Sequence, residues 1–91
     1  MSKIKVAFSS SFKKLLKQYL RKLPQKQTLL FTAIILFISN PSNPVFETHK
    51  LKGKLSGYLS FSVAYDLRII FFFTTVIEVV FFNIVTHDEV Y

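Results

Sequence analysis

Ninety-one residues without a cysteine suit one domain, residues 1–91, with a modest core, and exclude a disulfide framework or a thiolate zinc site. The missing cysteines also fit a reducing cytoplasm. Twelve lysines and arginines against five acids give a net charge of +7, which favours nucleic acid, an anionic membrane surface or an acidic protein as partner.

Position sharpens that charge. Residues 1–26 carry Lys3, Lys5, Lys13, Lys14, Lys17, Arg21, Lys22 and Lys26 and no acid. Ile4 to Phe8 is short and β-branched and runs into Ser9, Ser10 and Ser11. It reads as a strand ending at a helix cap, where a serine oxygen satisfies an orphan N–H. From Phe12 the period changes to that of a helix. Phe12, Leu15, Leu16, Tyr19, Leu20 and Leu23 form one apolar stripe at helical spacing, with the lysines on the remaining surface. Pro24 stops this helix and opens the next. Residues 25–38 read as a second helix whose end, Thr32 to Ile38, is apolar nearly all round. The prolines of Asn40-Pro41-Ser42-Asn43-Pro44 then break the chain.

Beyond the break the period is that of strands. In Tyr58 to Ala64, Leu59, Phe61 and Val63 alternate with Ser60 and Ser62, as in a half-buried strand. Tyr65-Asp66 reads as a tight turn, and Leu67–Phe73 and Ile77–Thr86 as two further strands in an antiparallel meander. The expected fold is α+β, in the order β-α-α-β-β-β, with two N-terminal helices packed on an antiparallel sheet.

A hydrophobic share of 51% requires a test of membrane readings. Ile69 to Val85 would span about 25 Å as a helix, short of a hydrocarbon core of roughly 30 Å, with Glu78 near its middle. Fifteen of those seventeen residues are β-branched or aromatic, which favours strands. Leu29 to Ile38 has the length of a buried helix or a signal-peptide core. As a signal it would follow an unusually long basic leader and precede no clean cleavage pattern.

The polar residues suited to chemistry gather after the proline break: Glu47, His49, Lys50, Lys52, Lys54, Asp66, Arg68, His87, Asp88, Glu89 and Tyr91. Metal-free RNA cleavage needs a base for the 2′-OH proton, cations for the charged phosphorane and an acid for the leaving 5′-oxygen. His49, His87, Arg68, Lys52 and Lys54 supply those types. Each also has a plainer reading: a surface histidine, solvated lysines guarding an edge, an Arg68–Asp66 ion pair, a packed terminal ring. A metal site from His49, His87 and Asp88 or Glu89 lacks a metal-ligand spacing, and no cofactor is implied.

Three segments together resemble the RelE/ParE superfamily of toxins, its YafQ-like and RelE-like members above all. They are Thr48-His49-Lys50-Leu51-Lys52-Gly53-Lys54-Leu55-Ser56-Gly57-Tyr58, Tyr65-Asp66-Leu67-Arg68-Ile69-Ile70-Phe71, and Thr86-His87-Asp88-Glu89-Val90-Tyr91. The resemblance covers about residues 40–91 in specific motifs and the first 39 in element order and basic character. It implies the β-α-α-β-β-β fold and a toxin of a toxin–antitoxin pair in the cytoplasm. Its activity would be a metal-independent, ribosome-dependent mRNA endonuclease, with a cognate antitoxin, the ribosome and mRNA as partners. It further implies roles: His49 and His87 in proton transfer, Asp66 as a catalytic aspartate, and Arg68 on the phosphate. Tyr91 would lie on a base, and Lys50, Lys52 and Lys54 would form an RNA-binding loop. Two positions depart from the pattern. Ser62 stands where YafQ-like members have a further histidine, and Val85 where a glycine commonly precedes the final Thr-His. The alternatives are a ParE-like toxin that binds DNA gyrase and cleaves nothing, and a small basic membrane protein.

Overall fold

A computed structural model describes residues 4–86. Strand β1 (Lys5–Phe8) runs into helix α1 (Ser10–Lys22), followed by a short 3₁₀ turn at Pro24–Lys26 and helix α2 (Gln27–Ser39). A loop leads to β2 (His49–Lys50), β3 (Leu59–Ala64), β4 (Leu67–Thr75) and β5 (Glu78–Thr86). The five strands form one sheet in the order β1-β5-β4-β3-β2.

The helix boundaries follow from local chemistry. Ser9 is extended, and its hydroxyl accepts the Phe12 N–H at 3.0 Å, the capping bond that the serine cluster anticipated. Arg21 and Lys22 close α1, where cations suit the negative end of the helix dipole. Pro24 sits in the first turn of the 3₁₀ segment, where its missing N–H costs nothing.

The expected α+β arrangement holds, with one change. β2, β3, β4 and β5 pair antiparallel, but β1 lies parallel to β5, in the register Val6↔Val79 and Phe8↔Phe81. The sheet is therefore mixed. A parallel partner needs a long crossover, and α1, α2 and the three strands after them supply it. The brief β2 extends the other edge. Ile69 to Val85, weighed above as a helix, is the hairpin β4–β5. No described helix is long and apolar enough to cross a membrane.

Both helices cover one face of the sheet, and the core there is built largely from phenylalanine. Phe12, Phe37, Phe46, Phe61, Phe71 and Phe81 are all fully buried. The Phe37 ring from α2 stacks on Phe61 at 4.1 Å and meets Phe46, Phe71 and Phe81 edge-on at 5.1–5.7 Å. Offset and edge-on rings bring opposite ends of their quadrupoles together, adding about 0.5–1.5 kcal/mol per pair beyond area burial. From α2, Leu30, Ile34 and Phe37 point into this core, at the spacing i, i+4, i+7. The same helix leaves Leu29, Phe31, Ile35 and Leu36 exposed, Ile35 to 65%.

Candidate functional site

Side chains alternate across a strand, so residues paired in register share a face. Phe61, Ile69 and Ile84 face the helices; their neighbours face the other way. On that second face one row across the sheet reads His49, Ser60, Ile70, Asn83, and the next reads Ser62, Arg68, Val85. The sheet thus brings His49 and Arg68, nineteen positions apart in the sequence, onto one surface. His49 is exposed there, while Arg68 is only 7% exposed.

The Arg68 guanidinium is held in place by polar groups. Its Nε donates to the Ser60 hydroxyl at 2.9 Å, and its Nη2 donates to the Glu47 carbonyl at 2.7 Å and to the Ser60 carbonyl at 3.2 Å. Ser60 is fully buried, so its oxygen has no competing water. Glu47 is the only described non-glycine residue with a positive φ, at 45°, a left-handed conformation that costs roughly 1–2 kcal/mol. That turn aims its carbonyl at the guanidinium. Among the described residues these are the hydrogen bonds of the guanidinium, and Nη1 makes none. The Arg68–Asp66 ion pair raised by the sequence is not formed; Ser60 and Glu47 take its place.

Asp66 lies apart from this arrangement. It sits exposed in the β3–β4 turn, and its charge reaches Tyr19 of α1. Tyr19 has its pKa raised above 10.0, first by burial and second by the Asp66 carboxylate. Lys50 pairs with Leu59 and points to the opposite face from His49. Lys52 and Lys54 are exposed in the loop between β2 and β3, whose closure uses Gly53 and Gly57 at φ +69° and +95°, a region that glycine enters freely. Thr86 ends β5 and pairs with Leu67, next to Asp66. His87 follows in the chain, and both His87 and Tyr91 lie outside the described residues. Among those described, no three His, Asp or Glu side chains come together as a metal site.

Ser62, where the resembling family has a histidine, pairs with Arg68 and donates its hydroxyl to the Ala64 carbonyl at 3.0 Å. That bond belongs to a local irregularity of β3. Val85 is 8% exposed and pairs with Arg68, so it covers the arginine stem. The Ser60 and Glu47 contacts to Arg68 were not anticipated. The alternation of Ser60 and Ser62 with apolar residues was a signal for the first. Nothing local marks Glu47.

The described residues thus form a five-stranded mixed sheet with two helices on one face and a clamped arginine on the other. No family profile and no curated protein sequence matches the chain. Solved structures do. The chain resembles YafQ from E. coli strain BL21(DE3), with a TM-score of 0.77 at 23% identity over 97% of this chain and 98% of that one. It resembles YafQ in the E. coli DinJ–YafQ toxin–antitoxin complex, with a TM-score of 0.75 at 23% identity over 99% of both chains. A YoeB/ParE toxin from Agrobacterium tumefaciens follows, with a TM-score of 0.73 at 15% identity over 92% and 99%. At these identities the likeness establishes the fold, and the expected RelE-like fold is borne out.

Proposed function

We propose that this chain is the toxin of a toxin–antitoxin pair and cleaves mRNA on translating ribosomes. The observation that carries the reading is the shared face of His49 and the clamped Arg68 in a basic protein of this fold. In the proposed reaction a base takes the proton of the RNA 2′-OH, and the freed oxygen attacks the adjacent phosphorus. The bond to the 5′-oxygen breaks, that oxygen is protonated, and a 2′,3′-cyclic phosphate and a 5′-hydroxyl result. His49 and His87 are the proposed proton carriers, imidazole being suited to both directions near neutral pH. Arg68 offers Nη1 to a phosphate oxygen as charge builds on it, a contact that is stronger for being charge-assisted. Asp66 and Tyr91 complete the proposed set, Asp66 as a carboxylate at the rim of the site in the β3–β4 turn and Tyr91 as a ring on a base. Lys52 and Lys54 would hold flanking phosphates from the β2–β3 loop, with Lys50 reaching them only round the edge of β2, from the other face.

The exposed apolar side of α2 is the proposed seat of the antitoxin. Isolated apolar residues are ordinary on a surface, but Leu29, Phe31, Ile35 and Leu36 crowd one short helix. In the DinJ–YafQ complex a protein of this fold is bound to its antitoxin. The test is expression of the chain alone and with the acidic product of a neighbouring reading frame. Growth arrest relieved by that product supports the proposal; unimpaired growth with soluble chain present removes it. Arrest with DNA-damage signalling and uncut mRNA would favour the gyrase-binding alternative.

A further inference from the structure

Three aromatic rings on the face that carries Arg68 have no part in the mechanism. Tyr58, Phe72 and Phe82 come from β3's entry, β4 and β5. The Tyr58 ring centroid lies 5.4 Å from that of Phe72, at 80°, and 5.0 Å from that of Phe82, at 44°. All three keep partial exposure, unlike the six phenylalanines of the core. Phe72 stands between Phe71, which faces the helices, and Phe73, so alternation puts it on the far side.

Phe82 is there because of a bulge. The register passes from Ile70↔Asn83 to Phe71↔Phe81, leaving Phe82 without a partner on β4. Such an extra residue re-aims its side chain. Its carbonyl, freed from the ladder, accepts the hydroxyls of Ser9 at 3.3 Å and Ser11 at 3.2 Å. The start of α1 thus holds the bulge, and the bulge keeps the ring against Tyr58.

Cationic groups flank this cluster on the side of the β2–β3 loop. A groove of about 320 Å³, lined by Lys50, Leu51, Ser56, Gly57, Tyr58 and Leu59, is near the lower limit of ligand pockets, roughly 300–1,000 Å³. Lys52 and Lys54 are exposed in the same loop. From Phe72 to Arg68 is four residues along β4, about 14 Å at 3.4 Å per residue, a distance an unstacked RNA strand crosses in a few nucleotides. Every base has a π-face, and partly exposed rings beside lysines are how single strands are commonly held.

We infer that Tyr58, Phe72 and Phe82 form a stacking platform for an unpaired RNA base a few nucleotides from the scissile phosphate. The inference rests on the proposed function and adds a second anchoring point for the same RNA. The protein has no tryptophan, so Phe72→Trp places a unique reporter in the platform with little change in shape. Tryptophan emission and fluorescence anisotropy are followed as a short single-stranded RNA is added, and then an abasic strand of equal charge. Quenching by the RNA and not by the abasic strand is expected, with Tyr58→Ala weakening RNA binding about tenfold and leaving abasic-strand binding unchanged. Binding seen by anisotropy without quenching would overturn the platform and leave the proposed function standing. No binding of either strand would also overturn the platform, whereas the proposed function, which acts on the ribosome, falls only if mRNA 5′ ends in cells stay unchanged. A shift of emission with protein concentration alone would show an interface between copies and overturn the inference. Should Tyr58→Ala fail to fold, as judged by circular dichroism, Tyr58→Leu takes its place with the same expected loss.

Discussion

Replacing Ser60 with alanine tests whether the arginine clamp is an energetic fact. Ser60 is 0% exposed and Arg68 is 7% exposed, and the bond between Nε and the Ser60 hydroxyl is 2.9 Å long. Alanine leaves a buried cationic N–H without its acceptor, and a hydrogen bond to a charged group is worth about 1.5–3 kcal/mol. A loss of about 2 kcal/mol follows, or roughly 8–16 °C in Tm for a domain of this size. Cavity formation is a lesser contribution, since only one oxygen is removed. The assay is urea unfolding followed by circular dichroism, with Ser60→Ala made in the natural chain and in Arg68→Met. With no guanidinium present the serine has nothing to accept, so the second loss should be near zero. A coupling of about 2 kcal/mol lies well above the roughly 0.5 kcal/mol within which independent sites add. Equal losses in the two backgrounds would refute the clamp, whatever their size.

Two further outcomes follow from other parts of the molecule. Ile35→Lys changes a side chain 65% exposed on α2, so its effect on stability should stay within about 0.5 kcal/mol. It should abolish capture of the antitoxin in a pull-down, and full retention would move the antitoxin site elsewhere. Tyr19 holds its proton above pH 10.0, chiefly through burial and secondarily through Asp66. The folded form keeps a proton that the unfolded chain gives up, so this contribution to stability is complete below pH 10 and is lost as pH rises through the folded value. Tyrosinate absorbance of Asp66→Asn should show the Tyr19 midpoint partly lowered; an unchanged midpoint would place Asp66 away from α1.

Much of the fold was legible because its signals are local. The stripe from Phe12 to Leu23 states its period within three turns, and Ser9 marks where it begins. Ser60 and Ser62, alternating with Leu59, Phe61 and Val63, state the period of a strand and give its two faces. The partner of β1 was not legible in the same way. A strand that pairs with the last element in the chain leaves no mark in its own residues, so the parallel edge and the mixed sheet emerged only from the register. The same holds for the bulge at Phe82, which is fixed by serines seventy-odd positions upstream.

The site divides along similar lines. Residue types and order placed His49 and Arg68 among the candidates, and the sheet puts them on one face. Their chemistry could be read, but their surroundings could not. A buried arginine looks costly until its acceptors are known, and those are a serine on the neighbouring strand and a carbonyl turned by the left-handed Glu47. Asp66 carried the same motif-level signal as Arg68, yet it lies exposed in the β3–β4 turn, where its charge adds to the raised pKa of Tyr19. Residues two apart on a strand share a face, but Asp66 lies in the turn before β4 begins at Leu67, so its closeness to Arg68 in sequence did not become contact.

The claim that matters most is cleavage of mRNA during translation. It is tested most directly by inducing the chain in cells and mapping mRNA 5′ ends. The account predicts new ends within codons of translated messages, and their disappearance in His87→Ala, since loss of a general acid or base costs roughly 10²–10⁴ in rate. Intact messages and continuing translation, with the natural chain present and folded, would contradict it.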